Sequence, residues 1–175
     1  YIKFSVKLFI KNPGFTTLKT TIRFFPAWKT HLANGKNSVT DSIPWLTFPS
    51  INFLNKNINK QMTVFEYGSG GSTLFWSERI KQIISVEHDK KWYEKVKKEL
   101  ELREIKHVSY FLLEAEEDPD FALKSSANPN DYISDDENFV GQKFEQYVRK
   151  IDEYPDEYFD IILIDGRARP SCIAH

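Results

Sequence analysis

Apolar residues fall in short blocks along this chain, and the spacing inside the blocks switches between strand-like and helical. Ile51, Phe53, Leu54 and Ile58 recur as one face of a short amphipathic helix. Residues 62–66 (MTVFE) then read as a short apolar strand that runs straight into the glycine-rich stretch from Gly68 to Thr73, with a helix predicted over 72–80. Residues 82–86 form a second predicted strand, ending at Glu87-His88-Asp89. Asp89 suits the N-cap of a helix in which Trp92, Tyr93, Val96 and Leu100 recur at helical spacing. Residues 108–113 are a third strand. The stretch 114–138, rich in Asp, Asn, Pro and Ser, predicts a long loop, and Val140, Phe144, Tyr147, Val148 and Ile151 a further helix. A fourth strand, 159–164, closes on Asp165-Gly166.

Strands alternating with helices predict the α/β class: a Rossmann-like, doubly wound, mainly parallel sheet with helices on both faces. Ile161-Ile162-Leu163-Ile164 is apolar at every position, which predicts a strand buried on both faces. The first 45 residues have no clean period and contain the turn signals Asn12-Pro13-Gly14 and Asn34-Gly35. They are expected to form a basic appendage (1–45) to the domain proper (46–175).

The length of 175 residues fits one domain rather than two. With 14 Phe, 8 Tyr and 4 Trp the chain is too aromatic to be disordered. No apolar run approaches the ~20 residues of a membrane span. Residues 2–10 alternate with Lys and Ser, unlike a secretory signal. A single cysteine, Cys172, excludes an internal disulfide framework and makes a reducing, cytoplasmic setting the expectation. The net charge of −1 conceals an asymmetry: residues 1–47 carry seven bases and one acid (+6), leaving −7 for the rest. Residues 114–160 hold 15 acids against four bases. The basic arm is compatible with a nucleic acid, an anionic surface, or docking on the chain's own acidic half. The acidic stretch would repel a phosphate backbone, so a small-molecule substrate is favoured over nucleic acid.

The chemistry concentrates in Val64-Phe65-Glu66-Tyr67-Gly68-Ser69-Gly70-Gly71-Ser72-Thr73. A glycine turn between strand and helix lets a ligand approach the backbone, and the helix start beyond it offers free N–H groups. Glu87, about 20 residues on at the end of the second strand, is placed to accept hydrogen bonds from ribose hydroxyls. These features describe a nucleoside-containing cofactor. A dinucleotide fingerprint would require a third glycine where Thr73 stands. Glu66, two residues before Gly68, would repel a pyrophosphate but suit an ammonium group. That favours S-adenosylmethionine over a nicotinamide dinucleotide.

On these residues, together with Pro44-Trp45-Leu46-Thr47, Ser85 to Asp89 with Trp92-Tyr93, and the ending Ile-Asp-Gly-Arg-Ala-Arg (164–169), the chain from about residue 45 resembles class I S-adenosylmethionine-dependent methyltransferases. It is close in wording to a largely uncharacterised bacterial group. It departs from their G-x-G-x-G at the third glycine, where Ser72 stands, preceded by Gly71. The resemblance implies a cofactor site at Glu66, Tyr67, Gly68, Ser69, Gly70, Ser72, Thr73, Glu87 and His88. It also implies a substrate-side role for Asp165, as a contact or a base, and a sheet of about seven strands with the fourth in its interior. The chain is accordingly expected to be the cofactor half of a domain, cut after the fourth strand. Arg167 and Arg169 could pair with an anionic substrate, and Trp45 could form part of a lid. The helix aromatics Trp92, Tyr93, Phe144 and Tyr147 are expected in the core. His31, His88, His107 and His175 are scattered without metal-ligand spacing, so no metal is expected. Two alternatives remain open: an NAD(P)-dependent reductase, and a non-catalytic Rossmann-like binding module.

Overall fold

The computed structural model describes residues 46–175 continuously and, before them, positions 10, 14, 18, 19, 22, 23, 25, 26, 29, 39 and 42–44. Trp45, expected as part of a lid, lies outside the described residues. In chain order the elements are helix α1 (Phe48–Asn57), strand β1 (Thr63–Tyr67), α2 (Gly71–Ser77), β2 (Gln82–Glu87), α3 (Lys90–Leu102), β3 (Val108–Leu112), β4 (Glu116–Glu117), β5 (Gln142–Lys143), α4 (Glu145–Arg149), β6 (Ile161–Ile164) and α5 (Arg169–Ala174). The main sheet is parallel, in the order β3-β2-β1-β6. This is the predicted Rossmann-like α/β fold. Its strand order reverses at β1, so the carboxyl ends of β1, β2 and β6 bound the crevice where such sheets take ligands.

Helix starts follow local chemistry. Thr47 caps α1 through its hydroxyl, which accepts from the Ser50 amide, with Pro49 in the first turn. Asp89 caps α3 as predicted, accepting from the Trp92 amide at 2.9 Å. The period of two along the strands divides the core. Phe65, Tyr67, Ile84 and Val86 face one side, under Phe144, Tyr147, Val148 and Ile151. Val64 and Ile83 face the other, against Phe75, Trp76 and the apolar side of α1. Val39, although in the predicted appendage, is fully buried with Leu74, Val96 and Leu100.

Three expectations are corrected. Val140 does not begin a helix: it is 67% exposed, Gly141 follows at φ +81°, and residues 142–143 join a strand pair, so α4 starts only at Glu145. The predicted acidic loop is a folded segment. Glu116–Glu117 pairs antiparallel with Gln142–Lys143, and Asp118 binds Lys124 at 2.7 Å. Finally, β6 is an edge strand of the sheet, and Ile162 is 48% exposed. Among the described residues nothing pairs with its outer edge, and Ile161, Leu163 and Ile164 are only half-buried rather than enclosed on both faces.

β1 and β6 are tied at both ends. The Asp160 carboxylate accepts from the Thr63 amide at 2.7 Å and from its hydroxyl at 3.1 Å. At the other end, the Asp165 amide donates to the Tyr67 carbonyl at 2.9 Å.

Candidate functional site

Gly68 follows β1 at φ +86°, a conformation that side chains rarely adopt. Its amide donates to the Val86 carbonyl at 2.9 Å, continuing the β1–β2 ladder one step past the strand. A Cβ on Gly68 would lie 3.0 Å from the backbone of Asp165 and Gly166. A Cβ on Gly166 would overlap the Tyr147 hydroxyl. The two loops therefore touch through backbone alone, with Tyr147 wedged beneath them.

A cavity of about 320 Å³, within the small-ligand range, opens above this contact at the carboxyl ends of the strands. Gly68, Ser69, Gly70 and Ser72 form its floor, and Glu87, His88 and Asp89 one wall. Asp165, Arg167 and Arg169 form the other wall. Trp92 roofs the glycine loop: its indole N–H donates to the Ser69 carbonyl at 2.8 Å, and a Cβ on Gly70 would meet the ring at 3.6 Å. Sequence reasoning assigned Trp92 to the core. The usable signal was its place in the first turn after the Asp89 cap, which brings it back over the strand ends. Phe144 and Tyr147 are fully buried core residues, as expected.

The two acids singled out from the sequence sit differently. Glu87 lines the cavity, and both of its oxygens are engaged. Oε2 accepts from the Ser69 amide (3.0 Å) and hydroxyl (2.9 Å), and Oε1 from the amides of His88 (2.8 Å) and Asp89 (2.9 Å). Burial alone would raise this carboxyl, but the hydrogen bonds outweigh it and hold Glu87 below the usual carboxylate value. Glu66 does not line the cavity. It is fully buried beneath the loop, where Oε2 accepts from the hydroxyls of Thr73 and Ser85 while Oε1 has no partner. Desolvation pushes Glu66 up to about 7, opposed in part by the nearby Ser72 hydroxyl and by the hydroxyl bonds from Thr73 and Ser85.

Thr73 and Tyr67 likewise lie below the cavity. Thr73 links Glu66 to the loop by also accepting from the Gly70 amide at 2.9 Å. The Tyr67 hydroxyl donates to the Val148 carbonyl at 2.6 Å. His88 is at the cavity wall with Nδ1 3.0 Å from Glu87 Oε1, and its ring lies edge-on to Phe139 and Phe144. Asp165 is 43% exposed on its side chain and pairs with Arg169 at 3.3 Å. Cys172 is buried, and desolvation pushes its thiol up to about 12, which opposes a nucleophilic role. Among the described residues no group of three or more His, Cys, Asp or Glu side chains could hold a metal ion.

The site's charge is mixed: Glu87, Asp89 and Asp165 face Arg167 and Arg169 across one cavity. Such a lining suits a ligand carrying both signs better than a pyrophosphate.

Solved structures similar in fold to this chain include a methyltransferase-like protein. A methyltransferase-like protein from Silicibacter pomeroyi superposes with a TM-score of 0.51 and 25% identity, over 76% of this chain and 66% of that one. A protein of Streptococcus mutans assigned to the methyltransferases and solved in complex with SAH is 22% identical, over 49% of this chain and 44% of that one, with a TM-score of 0.34. The YcgJ protein of Bacillus subtilis is 13% identical, over 66% and 36%, with a TM-score of 0.36. The chain thus spans between about a third and two thirds of the length of these neighbours. No family model and no functionally curated protein matches the sequence. Among the described residues no helix is long and apolar enough to cross a membrane.

Proposed function

We propose that this chain carries the cofactor site of an S-adenosylmethionine-dependent methyltransferase acting on a small-molecule acceptor. The observation that carries the reading is Glu87. It is an anionic, fully oriented carboxylate at the end of β2, bonded to the glycine loop and lining a cavity of about 320 Å³. The Silicibacter pomeroyi neighbour, described as methyltransferase-like, supports the same reading.

In this reading Glu87 accepts from the ribose hydroxyls, exchanging its bond to the Ser69 hydroxyl for one to the ligand. The loop from Gly68 to Ser72 contacts the cofactor through backbone, and His88 and Trp92 flank it. When bound, the cofactor would supply an activated methyl group carried on a positively charged sulfur. The protein's share is proximity and alignment. Asp165, partly exposed beside Arg169, takes up a proton where the acceptor must lose one. Glu66 acts from below, holding the loop through Thr73 rather than touching ligand.

Calorimetric titration with S-adenosylhomocysteine tests the proposal. One-to-one binding that Glu87→Gln weakens at least tenfold is expected. A folded chain that binds none overturns it.

A further inference from the structure

A second cavity, of about 480 Å³, lies beside the first and opens into the same wall. The two share Gly166, Arg167 and Arg169, so the pair of arginines stands at the neck between them. Beyond the neck the walls include Ser126, Ser134 and Asp135, from the acidic segment that the sequence left without a role, beside the apolar Ala127, Ile133 and Pro170. Resting on the methyltransferase reading above, we propose that this second cavity is the acceptor site. Its occupant is a small molecule carrying a single carboxylate, gripped at the neck by Arg169 and Arg167, with a hydroxyl or amino group reaching the serines and Asp135.

Three observations carry this. First, Arg167 is tied on one side only. Its Nη2 lies 2.7 Å from Asp136, while its Nε is buried without a hydrogen-bond partner. A buried N–H donor left unmatched is unfavourable, so Asp136 alone does not satisfy this guanidinium. Second, Arg169 is 58% exposed on its side chain, and its one carboxylate contact, to Asp165, is long at 3.3 Å. So loose and wet a pair exchanges partners at little cost, and a guanidinium fork matches a carboxylate with two parallel bonds. Third, the neighbouring charges limit the guest. Asp135, Asp136 and Asp165 surround the arginines, so a monoanion is tolerated where a dianionic phosphate would meet three acids. The far end is polar: Ser134 is 6% exposed, and its oxygen accepts from the Asp136 amide at 3.3 Å, which leaves its proton to donate.

The fold of the acidic segment serves this site. Its clamp to β5, through Glu116–Glu117 and Gln142–Lys143, carries residues 126–135 back toward the loop after β6. Asp136, held by its own turn to Asn138, then fixes Arg167 from the same segment.

The test is a set of hydroxy- and amino-substituted benzoates and short aliphatic carboxylates, each paired with its primary amide and its phosphonate. Binding is read by saturation-transfer NMR and calorimetry, on the chain alone and on the chain saturated with S-adenosylhomocysteine. At least one carboxylate is expected to bind tenfold or more tightly than its amide. Arg169→Gln should cut that preference below threefold, and Arg169→Lys should restore part of it. Arg167→Gln should act in the same direction, with circular dichroism checking that each variant is folded. No carboxylate preferred over its amide, or a preference that survives both Gln substitutions, overturns the assignment. A tenfold preference for the phosphonates overturns the monoanion. The two proposals separate cleanly: absent S-adenosylhomocysteine binding removes the methyltransferase reading, whereas absent carboxylate preference in a chain that binds it removes only the acceptor assignment.

Discussion

Glu66 and Glu87 lie in the carboxyl-terminal halves of adjacent strands, point to the same face of the sheet and are almost equally buried, at 0% and 3% exposure. Their electrostatics are nevertheless opposite. Glu87 receives three backbone amides and a hydroxyl, so its charge is matched before any ligand arrives. Glu66 receives hydroxyls on one oxygen and nothing on the other, and burial lifts it to about 7. The difference teaches that depth alone does not decide whether a carboxylate keeps its charge. The supply of fixed donors does. One acid keeps its charge, and its neighbour gives it up near neutral pH.

The contrast can be broken at three points. The largest effect should come from Glu87→Ala, which strips the acceptor from four donors around the loop. With hydrogen bonds to a charged group each worth roughly 1.5–3 kcal/mol and not additive, a loss on the order of 4 kcal/mol in urea unfolding is expected. A loss under about 1 kcal/mol would mean the network does not hold the loop.

Glu66→Gln comes next, and its mark is a pH dependence. The folded-state value lies above the unfolded reference of 4.5, so the native chain keeps a proton that the unfolded chain releases. Stability present at low pH is therefore lost as pH rises from about 4.5 to 7, by about 3 kcal/mol from this group. Glu87 acts in the other direction: its contribution is present above 4.5 and fades below that, as pH falls through its lowered value. Unfolding curves between pH 5 and 8 should flatten in Glu66→Gln, and an unchanged slope there would contradict the protonated, buried Glu66.

Ser85→Ala should have the smallest effect. Removing one hydroxyl donor lifts Glu66 further, displacing the wild-type slope to higher pH and costing about 1 kcal/mol at pH 8. A slope displaced to lower pH would reverse the role given to Ser85.

The fold was largely readable, because strand and helix periods are local and the glycine loop announces a turn after β1. The site was readable in outline. Glu87, Gly68, Ser69, Gly70, Ser72, His88 and Asp165 do meet around one cavity, as the strand order at β1 requires. Spacing could not tell that Glu66 lies beneath the floor. That depends on which face the pleat gives it and on the approach of Ser85 from β2. Trp92 was hidden for a similar reason: its apolar body suits a core, and only the turn of α3 over the loop shows its indole N–H at work. The acidic segment looked like a loop because its two-residue ladder is too short to leave a period. Val140 misled because its apolar character matched a helical spacing that Gly141 interrupts.

The contact between Gly68 and Gly166 has a consequence for how the molecule comes together. The residues that tie β1 to β6 stand 97 positions apart at Thr63 and Asp160, and the two glycines lie just beyond them. Closing so long a loop carries an entropic cost that must be met before the contact rewards it, and such distant pairings slow folding. The glycine loop, though among the first elements made, takes its final shape only once β6 has docked against it. On a growing chain, the cradle is complete only after nearly all of these residues have emerged.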